Sequence, residues 1–392
     1  MRVLLVTDWP AERGGVETYL VQLQQGLEAS GVETRLLVSS VGAGVHLADY
    51  VASGSDRAVV QAVAQLVNPA AVRAVRSAVR DFQADVVHVS GFELQLSPVM
   101  LAALRGTPTV ANVAWTKPVC PTGHKLLPDG TLCERRWGTA CHQHGCLGGV
   151  RWAREMARYR MIAAALRSTS AVVTCSRHMR SLLARHGLAA TALDWPTAPP
   201  GPSFVRRRAA RPVFVAVGRL SREKGIGTLI ESISRIRAGG VDAHLRLVGD
   251  GPQRAELEHL AARLGVADVV EVTGWVEHDD VETYLQDAWA LVAPSLWAEP
   301  LGLSAVEAIV RGVPVVASAV GGYAETVEPA VTGLLFANGD IDDLAGCLDD
   351  VAQERAFGGG ILPPDAVERL ARRHALEPHV KALTRVFEEI TP

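Results

Sequence analysis

Short apolar runs recur along the chain and alternate with longer amphipathic stretches. Apolar runs of strand length bounded by turn residues are typical of strands buried on both faces of a sheet. In the first half they predict strands over 3–7, 34–40, 85–90, 107–113 and 170–176. A helical pattern over 16–30 follows the first of these strands. The alternation of strands and helices predicts a parallel sheet with helices on both faces.

A second series of apolar runs follows a segment rich in proline and arginine, 195–212, which has no periodicity and predicts a linker. These runs predict strands over 212–218, 244–250, 269–274, 290–295 and 314–318. A chain of 392 residues suits two domains. We therefore expect an α/β protein with two doubly wound, Rossmann-like domains that face each other across a cleft.

The expected boundaries place the first domain at 1–198 and the second at 199–370. The tail reads as helical over 364–390. We expect its last part, 371–392, to form a helix that crosses back and packs on the first domain.

Composition and charge exclude several classes of protein. The formal net charge of −3 argues against a general nucleic-acid binder, which needs a basic face. The first apolar run is that of a buried strand and not of a signal peptide, and no run has the roughly 18–20 apolar residues that span a bilayer. We expect a cytoplasmic protein with reduced thiols.

The stretch 299–314, EPLGLSAVEAIVRGVP, carries the strongest chemical signal. Pro300 suits the first turn of a helix, so the amides of Leu301, Gly302 and Leu303 are expected to be free donors for a phosphate. Glu299 precedes this helix and Glu307 lies further along it. Carboxylates pair with hydroxyls, which points to a diphosphate flanked by sugars, although each glutamate alone is also typical of a solvated helix.

Other loops that follow predicted strands carry glycines or cations. In GRLSREKG, 218–225, Arg219 and Lys224 are placed to clamp a diphosphate, and the alternative is a solvated basic loop. Glycines with the same expected place beside a donor ligand are Gly14, Gly15, Gly218, Gly249 and Gly274. Glu17, after the first glycine pair, is a candidate ligand or a helix cap, and Gly321 and Gly322 are expected to form a structural loop at the border of the site.

Taken together, these segments resemble the retaining family 4 glycosyltransferases of the GT-B fold. The matching pieces follow the family's order over 213–337: GRLSREKG, VGDGP, VTGWV, APSLWAEPLGLSAVEAIVRGVPVVAS, GGYAETV and TGLLF. The resemblance implies a nucleoside-diphosphate sugar bound by the second domain and an acceptor bound by the first. It implies diphosphate contacts for Arg219 and Lys224, a ribose contact for Glu307, and a donor-sugar contact for Glu299 and the amides after it. Gly274, Trp275 and Val276 would border the base.

The sequence departs from the family on the acceptor side. Many relatives have a histidine six residues before a cysteine, and counting back from Cys120 places Ala114 there. The available substitutes are Asn112, Trp115, Thr116 and Lys117. His88, on a predicted strand, is a further candidate, although a strand histidine beside valines is more often a core residue.

The implied chemistry is a transfer with retention in which the departing phosphate accepts the proton of the acceptor hydroxyl. Arg219, Lys224 and the helix terminus would supply the positive charge, so we expect no catalytic metal. The expected acceptor is a small natural product, a glycan or a lipid-linked glycan. Three alternatives stay open: a sugar-nucleotide epimerase, a phosphorylase of the same architecture, and a non-catalytic sugar-nucleotide-binding paralogue.

Four of the six cysteines, Cys120, Cys133, Cys141 and Cys146, fall within an insert at 116–149 together with several histidines. In a cytosolic chain this concentration favours a structural zinc ion, with two disulfides or four free thiols as the alternatives. The segment 150–167 is basic and places Trp152, Met156 and Tyr159 on one face. That face predicts either packing on the domain or a peripheral contact with a membrane surface.

Overall fold

The computed structural model describes residues 1–8, 15–42 and 45–392, with residues 15–18 described by their backbone alone. Internal contacts divide the chain into two units. The first comprises Met1–Pro128, Cys133–Pro196 and Leu376–Pro392, and the second comprises Asp129–Leu132 and Thr197–Ala375. The division therefore falls two residues before the expected boundary, and the C-terminal segment of the first unit begins five residues later than expected.

The first unit contains a parallel sheet of seven strands in the order β3-β2-β1-β4-β5-β6-β7. Its strands are β1 (Arg2–Thr7), β2 (Glu33–Ser39), β3 (Tyr50–Ala52), β4 (Val86–Val89), β5 (Thr109–Asn112), β6 (Ala171–Thr174) and β7 (Thr191–Ala192). Val3 on the central strand pairs with Thr34 on one side and Val86 on the other. The order reverses at β1, as in doubly wound folds, so the loops after β1 and β4 lie at the switch point where such sheets bind ligands.

Helices connect these strands. They are α1 (Gly15–Ala29), α2 (Ala58–Ala64), α3 (Pro69–Phe82), α4 (Pro98–Ala102), α5 (Ala140–Gln143), α6 (Gly149–Arg167) and α7 (Arg177–Arg185). Asn68 caps α3 through hydrogen bonds from the amides of Ala70 and Ala71, and Ser176 caps α7 in the same way through Met179. The predicted apolar face of α6 is internal, since Met156 and Tyr159 are buried and Trp152 donates to the carbonyl of Gly138. The structure therefore favours packing on the domain for that face.

The C-terminal tail forms two helices and not the single one expected, because the chain breaks at His374 and Ala375 between α14 (Pro364–Arg373) and α15 (Leu376–Ile390). Helix α15 belongs to the first unit and packs on α1. Tyr19 Oη lies 3.0 Å from His379 Nε2, and His379 Nδ1 lies 2.8 Å from the carbonyl oxygen of Asp194.

The second unit contains a parallel sheet of six strands in the order β10-β9-β8-β11-β12-β13, which repeats the order of the first six strands of the first sheet. Its strands are β8 (Val213–Val217), β9 (His244–Val248), β10 (Val270–Gly274), β11 (Ala290–Ala293), β12 (Val315–Ser318) and β13 (Gly333–Phe336). Its other helices are α8 (Ile226–Ala238), α9 (Arg254–Arg263), α10 (Val281–Leu285), α11 (Leu303–Val310), α12 (Tyr323–Thr326) and α13 (Ile341–Ala352).

Both faces of this second sheet are covered, which is why its strands read as nearly continuous apolar runs. Alternate residues of β8 serve different cores: Phe214 and Ala216 pack with α8 and α13, while Val213 and Val215 pack with α11. All ten predicted strands are present in the two sheets.

Among the described residues, no single helix has the length and apolar character to cross a bilayer. A bent pair made of α2 and α3, with an angle of 56° between the two helices, passes that criterion by length and composition alone.

Candidate functional site

Five loops meet at one edge of the second sheet because each follows the carboxyl end of a parallel strand. They are 218–225 after β8, 249–252 after β9, 274–277 after β10, 294–302 after β11 and 319–323 after β12. Ligands of doubly wound sheets bind at this edge. The motifs singled out in the second half of the sequence are thus brought to one place.

Glycines allow these loops to touch through their backbones. A Cβ atom added to Gly249 would lie 2.1 Å from the carbonyl oxygen of Gly218, and one added to Gly225 would lie 2.1 Å from that of Pro294. Both glycines also have a positive φ. A side chain at either position would separate the loops, so glycine is required by a close approach as well as by conformation.

Lys224 and Glu299 form an ion pair at the centre of this edge. Lys224 Nζ lies 2.5 Å from Glu299 Oε1, and the same oxygen accepts hydrogen bonds from Ser295 Oγ at 3.0 Å and Trp297 Nε1 at 2.8 Å. Glu299 is 7% exposed. Among the described residues, Glu299 Oε2 has no recorded hydrogen-bond donor, so one carboxylate oxygen holds Lys224 while the other is available to a ligand hydroxyl.

The charges around this pair keep the lysine ionised. Burial alone would lower the pKa of Lys224, but the Glu299 carboxylate, followed by Tyr323 and Glu223, outweighs burial and raises the pKa above its usual value. Burial, together with Glu299, raises the pKa of Tyr323 to about 12. The site therefore presents a permanent cation and a neutral phenol at neutral pH.

Helix α11 begins later than the sequence suggests. Its first residue is Leu303, and Gly302 is the N-cap residue with φ of 79° and no capping side chain. Pro300 and Leu301 lie outside the helix, which corrects the expectation that Pro300 occupies its first turn. The amides of Leu303 and Ser304 are the ones that have no partner within the helix, and they point to the end that favours an anion.

The late start of α11 is set by the loop after β12. Gly321 and Gly322 lie against the backbone of the 299–301 segment, since an added Cβ would lie 2.5 Å from the carbonyl oxygen of Glu299 and 2.3 Å from that of Leu301 respectively. The ring of the next residue, Tyr323, occupies the space where a side chain on Gly302 would stand. These contacts hold the bare N-terminus of α11 beside the Lys224–Glu299 pair.

Replacing Gly302 with alanine is expected to destabilise the second unit by roughly 2–3 kcal/mol. The left-handed conformation costs an alanine about 1–2 kcal/mol, and the new Cβ would lie 2.4 Å from Tyr323 Cε1. Gly346 is the matched control: it lies within α13 with open space around it, so Gly346→Ala should gain roughly 0.5–1 kcal/mol. Urea unfolding of both variants measures the difference, and equal effects would contradict this account of Gly302.

Glu307 lies on α11 about one turn from the helix start and is mostly buried. His278 Nε2 lies 3.5 Å from Glu307 Oε1, and the guanidinium of Arg311 donates to the Glu307 carbonyl. Burial raises the pKa of the Glu307 carboxyl, and the partial opposition of His278 and Arg311 does not cancel that effect. In the free protein, the nearby positive groups therefore do not fully offset the cost of burying the Glu307 carboxylate. This under-compensated carboxylate suits a group that receives hydrogen bonds from a ligand.

Arg219, Trp275 and Val276 flank these groups. Arg219 follows β8 and is exposed, and among the described residues its guanidinium has no recorded hydrogen bond or ion pair. Trp275 is 64% exposed, whereas Val276 packs into the core next to α11. Gly274, with φ of 76°, turns the chain between β10 and Trp275.

Part of the expected site in the first unit lies outside the described residues. Gly14 is among the residues without a described structure, and the side chain of Glu17 is not described either. Gly15 is the first residue of α1.

His88 and Asn112 meet inside the first sheet, on the adjacent strands β4 and β5. Ser90 Oγ joins them, 3.0 Å from His88 Nε2 and 3.1 Å from Asn112 Nδ2. His88 is fully buried, and its burial, with His379 nearby, lowers its pKa to about 3. The geometry favours the core interpretation of His88 over an acceptor contact.

The residues at the position of the missing histidine are held by backbone contacts. Ala114 presents its carbonyl oxygen to Cys175 Sγ, and Lys117 Nζ donates to the carbonyl of Pro121 at 3.3 Å. Burial, then the charge of Arg158, lowers the pKa of Lys117. Trp115 is half-buried. Lys117 is the candidate substitute whose side chain ionises, and its burial disfavours the charged form.

A buried charged cluster beside β1 and β4 was missed in the sequence. Asp8 accepts hydrogen bonds from the amides of Leu94, Gln95 and Leu96 at 2.7–2.8 Å, and Arg158 donates to the carbonyl of Glu93. Burial, then the charge of Asp8, raises the pKa of Glu93 to about 7. The sequence does contain a signal for this cluster, because Asp8 directly follows one buried strand and Glu93 closely follows another.

The four cysteines of the insert line a common cavity but do not form a preformed metal-binding group in the described parts of the chain. Cys120, Cys133, Cys141 and Cys146 are free thiols in the structure, and all four line one small cavity.

Two family models match this chain in succession. The model described as "Glycosyl transferase 4-like domain" matches residues 14–195, and the model described as "Glycosyl transferases group 1" matches residues 204–358. The first segment contains β2–β7 of the first sheet but not β1, and the second contains all six strands of the second sheet together with its five loops.

Curated relatives carry the same kind of name. The 2-deoxystreptamine glucosyltransferase of Streptomyces kanamyceticus is 33% identical over 208 residues, which are 49% of this chain and 54% of that protein. The chain thus matches about half the length of that relative. The GDP-mannose-dependent alpha-(1-6)-phosphatidylinositol monomannoside mannosyltransferase of Mycobacterium tuberculosis is 27% identical over 384 residues, 90% of each chain.

Solved structures share the fold. HepE from Anabaena in complex with UDP superposes with a TM-score of 0.74 at 18% identity, over 99% of this chain and all of that one. Sucrose-phosphate synthase from Thermosynechococcus elongatus gives a TM-score of 0.73 at 22% identity, over 99% and 98% of the two chains. The predicted GT-B fold of two Rossmann-like domains is confirmed. With both family models matched in order, the chain belongs to the glycosyltransferases that join a 4-like first domain to a group 1 second domain.

Proposed function

We propose that this protein transfers a sugar from a nucleoside-diphosphate sugar to a hydroxyl group of a small acceptor, with retention of anomeric configuration. The observation that carries the proposal is the set of groups around the start of α11: a paired Lys224, an Arg219 that has no partner among the described residues, free helix amides and an under-compensated Glu307. Cations and helix amides suit a diphosphate, and a carboxylate suits hydroxyls. This combination fits the two ends and the centre of one sugar nucleotide.

The donor would be arranged along α11. The diphosphate would lie at the amides of Leu303 and Ser304, between Lys224 and Arg219. Glu307 would accept hydrogen bonds from the ribose hydroxyls, and Trp275 would border the base. Glu299 Oε2 would receive a hydroxyl of the transferred sugar. These cations would neutralise the leaving diphosphate without a catalytic metal.

Retention is supported by the state of Glu299. Its Oε1 is held by three donors, among them the Lys224 ammonium, and a carboxylate restrained in this way is a weak nucleophile. In the proposed step, the acceptor oxygen forms a bond to the anomeric carbon on the face that the phosphate leaves. The bond from that carbon to the phosphate oxygen breaks, and the hydroxyl proton passes to the departing phosphate. The step forms no covalent bond to the protein and therefore requires no protein nucleophile.

The acceptor would be bound by the first unit, and we place a cyclitol or sugar of a small natural product there. The name of the Streptomyces relative identifies a 2-deoxystreptamine acceptor for that enzyme, and its match to this chain covers about half of it. Buried Asp8 lies at the switch point of this sheet and holds the amides of the 94–96 segment, and that ordered loop would border the acceptor.

The test is a transfer assay with the full chain. UDP-glucose, UDP-N-acetylglucosamine and GDP-mannose are each incubated with 2-deoxystreptamine, and products are detected by mass spectrometry. The expected result is a new glycoside that keeps the donor's anomeric configuration by NMR. An inverted product would overturn the retaining step. Turnover that needs no acceptor would indicate an epimerase, turnover that needs inorganic phosphate would indicate a phosphorylase, and donor binding without any turnover would indicate a non-catalytic protein.

A further inference from the structure

The insert between β5 and α6 has little regular structure of its own. Between Asn112 and Gly149, the described backbone forms only the four-residue helix α5 and single bridge positions at Leu126 and Leu132. A segment of this length with so little helix or strand needs other interactions to fix its conformation. Side-chain contacts with α6 supply part of it, since Trp152 and Tyr159 bond to carbonyls of the insert.

Four thiols line one cavity inside this insert. The cavity has a volume of about 20 Å³, and its walls include Cys120, Cys133, Cys141 and Cys146. That volume is close to the space that one water-sized sphere occupies. Four sulfur ligands from separate turns of the chain are the usual set for a structural zinc ion.

Cys120 lies in a turn that directs donors at its sulfur. The amide of Gly123 bonds to the carbonyl of Cys120 at 2.9 Å, and the amide of Lys125 points at Cys120 Sγ from 3.4 Å. Thr122 Oγ1 lies 3.2 Å from the same sulfur. Gly123 and Lys125 both have positive φ, so the turn is held in a conformation that a side chain at Lys125 disfavours. The turn therefore fixes the position of this sulfur at the cavity wall.

Lys125 is a buried basic residue in the wall of the same cavity. It is 5% exposed, and its ammonium contacts the carbonyl of Arg135 and lies 3.9 Å from Cys133 Sγ. Among the described residues, no carboxylate forms an ion pair with it. A buried ammonium is costly unless an anion accompanies it. Metal-bound thiolates would provide that anion.

We propose that Cys120, Cys133, Cys141 and Cys146 bind one structural Zn²⁺ ion as four thiolates, with Lys125 as the charge-balancing residue. On binding, four S–H bonds are replaced by four Zn–S bonds and four protons leave to water, with no change of oxidation state. In the described parts of the chain, no three histidine, cysteine or acidic side chains already lie close enough to hold an ion. The proposal therefore requires the four sulfurs to converge when the metal enters.

The site is tested on the full chain, expressed and purified without chelators. Elemental analysis should find about one zinc per chain in the wild type, and Co²⁺ added after chelation should give the visible bands and thiolate charge-transfer absorption of a tetrahedral sulfur site. Cys133→Ser and Cys141→Ser should lose the metal and lower Tm by about 5–10 °C. Cys347→Ser, which alters a thiol in α13 of the second unit, should keep both. His144→Ala should also keep the metal.

Several results would overturn the proposal. One is six alkylatable thiols with no zinc, and another is a shortfall of alkylatable thiols without zinc, which would indicate disulfides. Zinc that survives both cysteine substitutions would be adventitious, and zinc lost with His144→Ala would replace the four-thiolate set by one that includes histidine. If the cysteine variants do not fold, the Co²⁺ spectrum and zinc content of the wild type decide alone.

Discussion

Replacing Lys224 with alanine is expected to lower kcat by about 10²–10³-fold, the effect typical of removing one preorganised group that stabilises developing charge. In the proposed reaction the leaving diphosphate gains charge as the sugar departs, and Lys224 is a permanent cation at that position because Glu299 raises its pKa. The donor's ground state has other contacts, so its Kd should change much less than kcat. Steady-state kinetics and donor titration separate the two quantities.

The contribution of the Lys224–Glu299 pair to folding stability must be separated from its contribution to catalysis. Lys224→Ala leaves the Glu299 carboxylate without its ion partner and should cost about 1–3 kcal/mol of stability. Lys224→Met combined with Glu299→Gln removes both charges and should recover most of that stability while activity stays low. Arg263→Ala, on the exposed face of α9, is the control for loss of a cation in the same unit. If the double variant recovers both stability and turnover, the pair is purely structural.

Replacing Glu307 with glutamine is expected to weaken binding of the nucleotide by about 10- to 100-fold, as hydrogen bonds to a charged group contribute about 1.5–3 kcal/mol. The same variant should be at least as stable as the wild type without ligand. The reason is that Glu307 is mostly buried and its carboxylate is under-compensated by His278 and Arg311. The measurement is isothermal titration with UDP and GDP, alongside thermal unfolding of the free proteins.

The sign of the pH dependence follows from the raised pKa of Glu307. An acid whose pKa is higher in the folded state binds protons more tightly there, so its stabilising contribution is fully present below the unfolded pKa of about 4.3. That contribution is lost as pH rises through the folded pKa. The advantage of Glu307→Gln in the free protein should therefore appear at neutral pH and shrink in acid.

The affinity for the nucleotide should depend on pH in the opposite sense to the stability of the free protein. The wild-type Kd should rise as pH falls through the raised pKa, because the carboxylate is the better acceptor for ribose hydroxyls. The glutamine variant should lack this trend. Glu256→Gln, an exposed acid on α9, should behave like the wild type in both measurements. Unchanged affinity in Glu307→Gln would remove Glu307 from the ribose site.

The elements that the sequence predicted well are those whose signal is local. Strands such as β1, β8 and β12 are continuous apolar runs because helices cover both faces of the sheet, and such runs can be recognised without knowing their neighbours. Strands β3, β7 and β13 were missed. All three lie at a sheet edge, where pairing with one neighbour makes them strands, and β3 and β7, with three and two residues, are also too short for a periodic pattern.

The start of α11 shows why a local signal fails at a boundary. Pro300 has the sequence preference of a first helical residue, yet the helix begins at Leu303. The loop with Gly321, Gly322 and Tyr323 packs against this segment from about 20 residues away and holds Gly302 in a left-handed conformation. No pattern within 299–307 contains that information.

The sequence by itself determined the two-sheet architecture, the linker, and the residue types at the end of each strand, because periodicity and turn chemistry are properties of neighbouring residues. The tertiary structure alone decided which of these groups meet. Lys224 is 75 residues from Glu299, and His278 reaches Glu307 from another loop. It also decided that His88 is a core residue and that Asp8 and Glu93 are buried together. Ion pairs, burial and shifted pKa values depend on distances through space, which the sequence order does not record.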